Sequence, residues 1–486
     1  METILSEEII QQRIIKGVAY LGVRRVLLQI ILTLSSIVLA RILEPSIFGT
    51  FAVISFIVGV FSYVTTFGLD KALVWSKSPI KTGQLRVIFT ILSVSSFLFA
   101  LLIFFLAPLS KLIYNGQLST SDIFWLKLYG FNVFFTNLRC VSASILEKKL
   151  DFKKITIGEL TILFITGILS IILALKGFGV GSFILGNLVG SILGACLYFY
   201  LSPWPFGLDF SFRKIKNLLP FGFNFQAKSL IETLNGAVIP GFVGVVSGTQ
   251  AVGLINWAGG IRQVGLAPAD TVVRLVFPTC SQAQDKPEFL KKIITKVVRI
   301  SSVLSFPIMA LVFSLARPIT YIVYTDKWLP GLPSLYLFSI QGIFIMLGGI
   351  LMDVLLALGE SRKVRNITLL WAIMQWFLTV PLVLLWNYNG VALAGILVSA
   401  TFFIPLAEVK KKIKINIFNE VVPYFLFSVI SGAAVFFISQ KYIVNSIFDL
   451  LVQVILGLLI YFGLVFVFKW REVIADFNVI KNCRFS

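Results

Sequence analysis

Histidine is absent from all 486 residues. That excludes imidazole acid–base catalysis and His-ligated metal centres. Cysteine is scarce: Cys140, Cys196, Cys280 and Cys483 form no CxxC pair and have no metal-ligand spacing. They read as small residues in or near helices. Acidic residues number 22 against 42 Lys and Arg, and charge of either sign makes up only 13% of the chain. No cofactor or metal site is expected, and no catalytic constellation is visible, so the chain does not read as an enzyme. The first residues, METILSEEIIQQRIIKG, lack a basic n-region and a small-residue cleavage site, so an uncleaved first span is expected.

What is present is apolar. The chain is 58% hydrophobic, with a mean hydropathy of +0.94. Hydrophobic runs near 20 residues recur along its length, which suits helices crossing a hydrocarbon core of about 30 Å. A closed barrel would show shorter, alternating segments. The reading is an all-α integral membrane protein with about fourteen transmembrane helices. The expected spans are 17–40, 46–69, 85–108, 122–146, 155–175, 178–201, 218–246, 249–275, 293–316, 333–357, 366–387, 390–408, 420–439 and 446–468. The fourth, seventh and eighth are weak by hydropathy. All loops are short, so no soluble domain is inserted. Trp204, Trp328 and Trp386 lie near predicted span ends, as interfacial anchors or as packed side chains.

The net charge of +20 could suggest nucleic acid, but it sits in short loops between spans, so no nucleic-acid partner is expected. Loops on the side of the N-terminus carry Lys and Arg in clusters, such as Lys148, Lys149, Lys153 and Lys154, or Lys410, Lys411, Lys412 and Lys414. The opposite side holds only Arg41, Lys111, Lys176, Arg317, Lys327 and Lys441. This bias puts both termini in the cytoplasm and requires an even number of spans.

A repeat is visible. EPSIFGTFAVISFIVGVFSYVTTFGLDKALV near the second span parallels SGTQAVGLINWAGGIRQVGLAPADTVVRLVFP near the eighth, with Gly49 and Gly253 at matching places. The match favours a six-span unit: an N-terminal lobe over 1–216, a C-terminal lobe over 217–409, and two further helices with a cytoplasmic tail over 410–486.

Several spans carry polar stripes at helical spacing. Arg25, Gln29 and Ser36 share a sector of the first span, and Arg24 points elsewhere. Ser55, Gly59, Ser62 and Thr66 align in the second. Asn132 and Arg139 share a face of the fourth. Asn224, Lys228, Glu232 and Asn235 line the seventh, where Lys228 and Glu232 are spaced to pair. Asn256, Gly260, Gln263, Asp270 and Arg274 align in the eighth, Arg262 is about a third of a turn away, and Pro268 is expected to kink the helix. Charges at membrane depth are expensive and commonly face a hydrated cavity. One reading is therefore a cavity between two lobes that receives an anionic substrate. The other is polar glue between helices, with Arg25 and Arg274 snorkelling to the interface. Asp353 in the tenth span could serve cation coupling or a helix contact.

Four stretches carry a family resemblance: LARILEPSIFGTFAVISFI with TFGLDKALV; QAVGLINWAGGIRQVGLAPADTVVRLVFPTCSQAQDKPEFLKK; YTDKWLPGLPSLYLFSIQG; and LLALGESRKVRNITLL. In this order the chain resembles the polysaccharide transporter family of the multidrug/oligosaccharidyl-lipid/polysaccharide exporter superfamily, which includes Wzx-type O-antigen and capsule flippases. The resemblance implies a MATE-like fold in the cytoplasmic (inner) membrane. It also implies alternating-access transfer of a polyprenyl-(pyro)phosphate-linked glycan to the outer leaflet, alongside a polymerase and glycosyltransferases of the same pathway. The sequence departs from relatives in the seventh span, which reads Asn235–Gly236–Ala237–Val238 where many carry an acidic residue. It departs again at Ser35–Ser36, where lipid II flippases have a charged pair. The competing functions are a cation-coupled multidrug exporter, which would favour buried carboxylates over arginines, and a membrane glycosyltransferase or polymerase, which would need acidic or arginine-rich outer loops.

Overall fold

The computed structural model describes residues 27–76, 81–220, 222, 226, 236, 238–273, 287–413, 415–442 and 444–482. Among them there is no strand. Backbone groups in hydrocarbon must be satisfied within the segment, so an apolar chain of this composition folds as helices. Ten helical segments among the described residues are long and apolar enough to cross a membrane, one of them (Asn389–Lys410) with a turn inside it, and they coincide with ten of the fourteen expected spans. Of the other four spans, the first is described only as the shorter helix α1 (Leu27–Ile42) and the seventh lies mostly outside the described residues. The fourth and eighth are helical but less apolar.

The chain divides into two compact units, Met1–Gly253 and Leu254–Ser486. The first holds α1, α2 (Pro45–Thr66), α3 (Leu69–Trp75), α4 (Thr82–Leu106), α5 (Leu109–Ile113), α6 (Thr120–Leu138), α7 (Cys140–Lys148), α8 (Phe152–Leu175) and α9 (Val180–Leu201). Pro45 starts α2, where its missing N–H is harmless. Ser119 caps α6 in a capping box with Asp122. The expected span 122–146 is not one helix: it is divided at Arg139 into α6 and α7. α8 and α9 meet along Gly186, Gly190 and Gly194. A Cβ at Gly186 would lie 2.1 Å from Ser170 Oγ, one at Gly190 2.1 Å from Thr166 Oγ1, and one at Gly194 2.6 Å from Ile162 Cδ1. Small residues at four-residue spacing let the two backbones approach where dispersion and interhelical hydrogen bonds hold membrane helices together. Trp204 is buried against Phe89 and donates to Ser142 Oγ at 3.2 Å, so it is a packed side chain rather than an anchor.

α10 (Gly248–Val273) begins in the first unit and continues into the second, running through Pro268. The second unit adds α11 (Pro287–Ser314), α12 (Leu332–Ala357), α13 (Ser361–Trp386), α14 (Asn389–Ala400), α15 (Phe403–Lys410), α16 (Phe418–Lys441) and α17 (Ile447–Asn482). The expected span 390–408 is likewise broken, at Thr401 and Phe402, into α14 and α15. The unit's main core gathers Leu266, Ile294, Phe306, Ile350, Leu406 and Tyr461. Trp328 is fully buried against Trp257, whereas Trp386 is exposed. Ion pairs link separate helices. Arg299 Nε lies 2.7 Å from Glu420 and its Nη1 3.8 Å from Glu472, and Lys363 Nζ is 2.9 Å from Glu408.

Candidate functional site

α10 has two different faces. Ala251, Val252, Leu254, Ile255, Ala258 and Ile261 are buried. Asn256, Gly260 and Gln263 are exposed. Gln263 Nε2 donates to Asp270 Oδ2 at 3.1 Å, so the expected alignment of these two side chains is present. By contrast, α13 exposes Ile373, Phe377, Leu384 and Leu385, as a face toward lipid requires. α10 exposes Asn256 and Gln263 together with Gly260 and Val264, and polar side chains at membrane depth are stable only against water or a polar ligand.

Arg262 lies beside that face. Its Nη1 donates to Gln341 Oε1 on α12, and its guanidinium sits 4.9 Å from the centre of the Phe338 ring. The close approach follows from Gly342, whose Cβ would lie 3.4 Å from Arg262 Cγ. Arg262 Nε is buried without a hydrogen-bond partner, and among the described residues no carboxylate pairs with this cation. A neutral amide and a ring orient the guanidinium but leave its charge uncompensated. An anion at the open face of α10 would supply what is missing.

In the first unit, Gln29 donates to Thr33 Oγ1 at 3.2 Å on α1. Arg139 sits over the Tyr198 ring at 5.7 Å, at the junction of α6 and α7. Around it, Asn137 donates to Thr65 Oγ1 at 3.0 Å, Thr136 and Ser191 are 3.2 Å apart, and Asn132 Oδ1 is buried with no partner. Arg139 therefore belongs to a polar seam among α2, α6 and α9. Asn256, Arg262, Gln263 and Asp270 cluster on α10. Arg24, Arg25, Asn224, Lys228 and Glu232 lie outside the described residues, as does the proposed Lys228–Glu232 pair.

α2 is held close to the later part of its unit at two places. At one end, Gly49 meets the start of α10: a Cβ there would lie 1.6 Å from Thr249 O, and one at Gly253 would lie 1.9 Å from Pro45 O. The two glycines that mark the sequence repeat thus touch one another. At the other end, a Cβ on Gly68 would lie 2.3 Å from Gly222 O, and one on Gly222 2.5 Å from Phe67 O. Phe67 and Gly68 both have positive φ, 48° and 64°, and Thr66 donates to Gln226 Oε1 at 3.1 Å. Gly49 and Thr66 are separated by about 25 Å of helix, close to a bilayer's hydrocarbon thickness. Midway, Gly59 and Gly236 have nothing within 4 Å of an added Cβ. Neither Gln341 nor the Gly68–Gly222 contact was among the expected site features. A lone amide inside the apolar span of α12 was the one available signal for Gln341.

These helices form a multi-pass membrane protein with the fold of the multidrug/oligosaccharidyl-lipid/polysaccharide exporter transporters. The inward closed lipid II flippase MurJ superposes with a TM-score of 0.76 at 18% identity, over 95% of this chain and 100% of that one. An inward-facing multidrug resistance MATE family transporter of the MOP superfamily gives a TM-score of 0.62 at 14% identity, over 85% and 96%. The chain belongs to the polysaccharide biosynthesis protein family, which matches it over residues 38–333.

Similar proteins include an uncharacterized membrane protein in the cps region of Klebsiella pneumoniae, 24% identical over 67% of each chain. Another is the succinoglycan biosynthesis transport protein ExoT of Rhizobium meliloti (strain 1021), 22% identical over 63% of this chain and 61% of that one. A third is the lipopolysaccharide biosynthesis protein WzxC of Escherichia coli (strain K12), 24% identical over 50% and 49%. The matches span from about half to two thirds of these relatives' lengths.

Proposed function

We infer that this protein is a flippase that carries a polyprenyl-(pyro)phosphate-linked oligosaccharide from the cytoplasmic to the outer leaflet of the inner membrane. The observation that carries this reading is α10, which exposes Asn256 and Gln263 beside Arg262, a cation with no carboxylate partner among the described residues; the reading takes α10 as the eighth span. Family membership and the transport role in the name of the succinoglycan relative support it. A phosphate-linked sugar chain cannot enter hydrocarbon, because its charge and hydroxyls would lose their hydration. A polar path offsets that loss for the head group, while the prenyl tail stays in lipid. Arg262 supplies positive charge, and Asn256, Gln263 and Asp270 offer hydrogen bonds suited to sugar hydroxyls. Arg24, Arg25, Gln29, Arg139, Asn224, Lys228 and Glu232 are the further candidates in this proposal.

The same reading takes fourteen spans, lobes over 1–216 and 217–409, a third segment over 410–486, and both termini in the cytoplasm. The pathway's polymerase and glycosyltransferases act before and after the transfer. The test uses purified protein in vesicles with a fluorescent polyprenyl-diphosphate glycan and an enzyme outside that modifies only outward-facing sugar. Flipping should make all of the glycan modifiable, against about half without protein. A protein that lengthens or transfers glycan by itself would overturn the reading.

A further inference from the structure

After α9 the chain runs through SPWPFGLDFSFRKIK, residues 202–216, as a pinned ledge. Arg86 Nε donates to Pro205 O at 3.2 Å, and the Asp209 N–H donates to Thr90 Oγ1 at 3.0 Å. Gln84 Nε2 donates to Lys214 O at 3.1 Å. Ser211 N–H donates to Asp209 Oδ1 at 2.9 Å, and Lys214 is bonded to the same carboxylate. The segment is therefore attached to α4 by backbone and side-chain bonds.

Its apolar residues alternate. Phe206, Leu208, Phe210 and Phe212 are exposed by 60%, 63%, 65% and 58%, while Gly207 and Asp209 between them are turned toward α4. Extended chain places residues two apart on one side over 206–210, and Phe212 then opens a 3-10 turn (Phe212–Ile215) after the exposed Ser211. The hydrogen bonds thus hold Leu208, Phe210 and Phe212 outward, beside Phe206, which is exposed but also packs edge-on against Phe89 at 4.9 Å. Next to them stand Arg213, Lys214 and Lys216, all exposed. The ledge's first exposed apolar residue, Phe206, comes five residues after the spanning helix α9 ends at Leu201, which puts it at the level where hydrocarbon gives way to head groups. Apolar side chains beside a basic cluster at that depth match a surface that is greasy below and anionic above.

We propose that residues 206–216 form an interfacial ledge in which Phe206, Leu208, Phe210 and Phe212 enter the bilayer while Arg213 and Lys216 engage anionic lipid head groups. The ledge carries a charge-complementary partner of one kind, a lipid leaflet, and it does not depend on what the protein transports. Because α4 holds it, the contact fixes the depth of α4 and α9 in the membrane.

The test is depth measurement on the full chain with its four native cysteines replaced. Single cysteines at positions 208, 210, 211 and 212 are labelled with a small environment-sensitive fluorophore. The protein is reconstituted in phosphatidylcholine vesicles with or without phosphatidylglycerol, and shallow-brominated lipid is the quencher. Labels at 208, 210 and 212 should be quenched at least twofold more than the label at the exposed but polar position 211, which separates entry of the apolar side chains from general exposure of the segment. Phosphatidylglycerol should deepen the quenching, and R213Q together with K216Q should abolish that increase. Weak, equal quenching at all four sites in monodisperse, inserted protein would overturn the proposal. So would labels that are water-exposed in vesicles but shielded in native membranes, which would assign the ledge to a protein partner.

Discussion

Gly49→Ala is the sharpest perturbation of the pinch between α2 and the start of α10. The added methyl would lie 1.6 Å from Thr249 O, where ordinary contact begins near 3.4 Å. The two backbones must therefore part by about 1.8 Å, because the obstacle is a carbonyl and no side-chain rotation relieves it. Overpacking of this kind costs about 1–3 kcal/mol, and the rigid obstacle puts it near the upper end. A shift of about 3 kcal/mol changes the population of the pinched state by roughly 140-fold. Gly59→Ala in the same helix is the control: it meets nothing within 4 Å and replaces a poor helix former, a gain of up to about 1 kcal/mol. The assay is labelling of Thr50→Cys, buried beside the contact, with a membrane-impermeant maleimide in a chain free of native cysteines. Gly49→Ala should raise the labelling rate at least tenfold and reduce transport, and Gly253→Ala should do the same. The double variant should add little, since both methyls break one contact. Equal labelling and equal transport for Gly49→Ala and Gly59→Ala would refute the reasoning.

Four further outcomes are expected. Gly68→Ala combines a left-handed residue, worth about 1–2 kcal/mol for a Cβ, with a 2.3 Å collision. It should lose more thermal stability in detergent than Gly116→Ala, which has φ 76° but open space. Arg262→Ala should abolish complementation of a flippase-null strain while inserted protein stays near its normal level, and Arg262→Lys should keep part of the activity; full complementation by Arg262→Ala would show that the cation is not needed. The hydrogen bond from Lys214, with those from Ser211, holds the Asp209 carboxyl down to about 2 from 3.8. Its folded value is depressed, so the ledge is fully pinned above about 3.8 and released as pH falls through about 2; a spin label at position 208 should gain mobility only in that window, and Asp209→Asn should show it at neutral pH. A reporter fused after Ser486 should read as cytoplasmic, and an exported signal would contradict the charge-based topology.

The spans were legible wherever hydropathy was strong. The expected 155–175 and 178–201 correspond to Phe152–Leu175 and Val180–Leu201. Ends were misjudged where a helix leaves the membrane without ending: 366–387 begins at Ser361, and 446–468 continues to Asn482. Hydropathy reports the apolar stretch, whereas the hydrogen-bonded ladder continues into polar sequence. The break at Arg139 left no Pro or Gly signal, so that span read as continuous; the break at Thr401–Phe402 did leave one, because Pro405 has no N–H for the Thr401 carbonyl. Helical spacing correctly aligned Gln263 with Asp270, since both lie on one element. It could not bring Gln341 to Arg262 or Gly68 to Gly222, because such encounters depend on how separate helices cross. Gly49 and Gly253 were visible as repeat markers, but a repeat does not announce that its two copies touch.

The glycine seam between α8 and α9 also sets rules for change in length. Gly186, Gly190 and Gly194 each receive a particular neighbour from α8, so the pair has a single register. Deleting one residue within α9 above this seam would turn the glycines by about 100° and replace three notches with side chains. Insertion into the connecting turn at Lys176–Gly179 leaves the notches facing α8. Tags, labels or domains placed in that turn should be tolerated, while a one-residue slip a few positions later should prevent the hairpin from assembling.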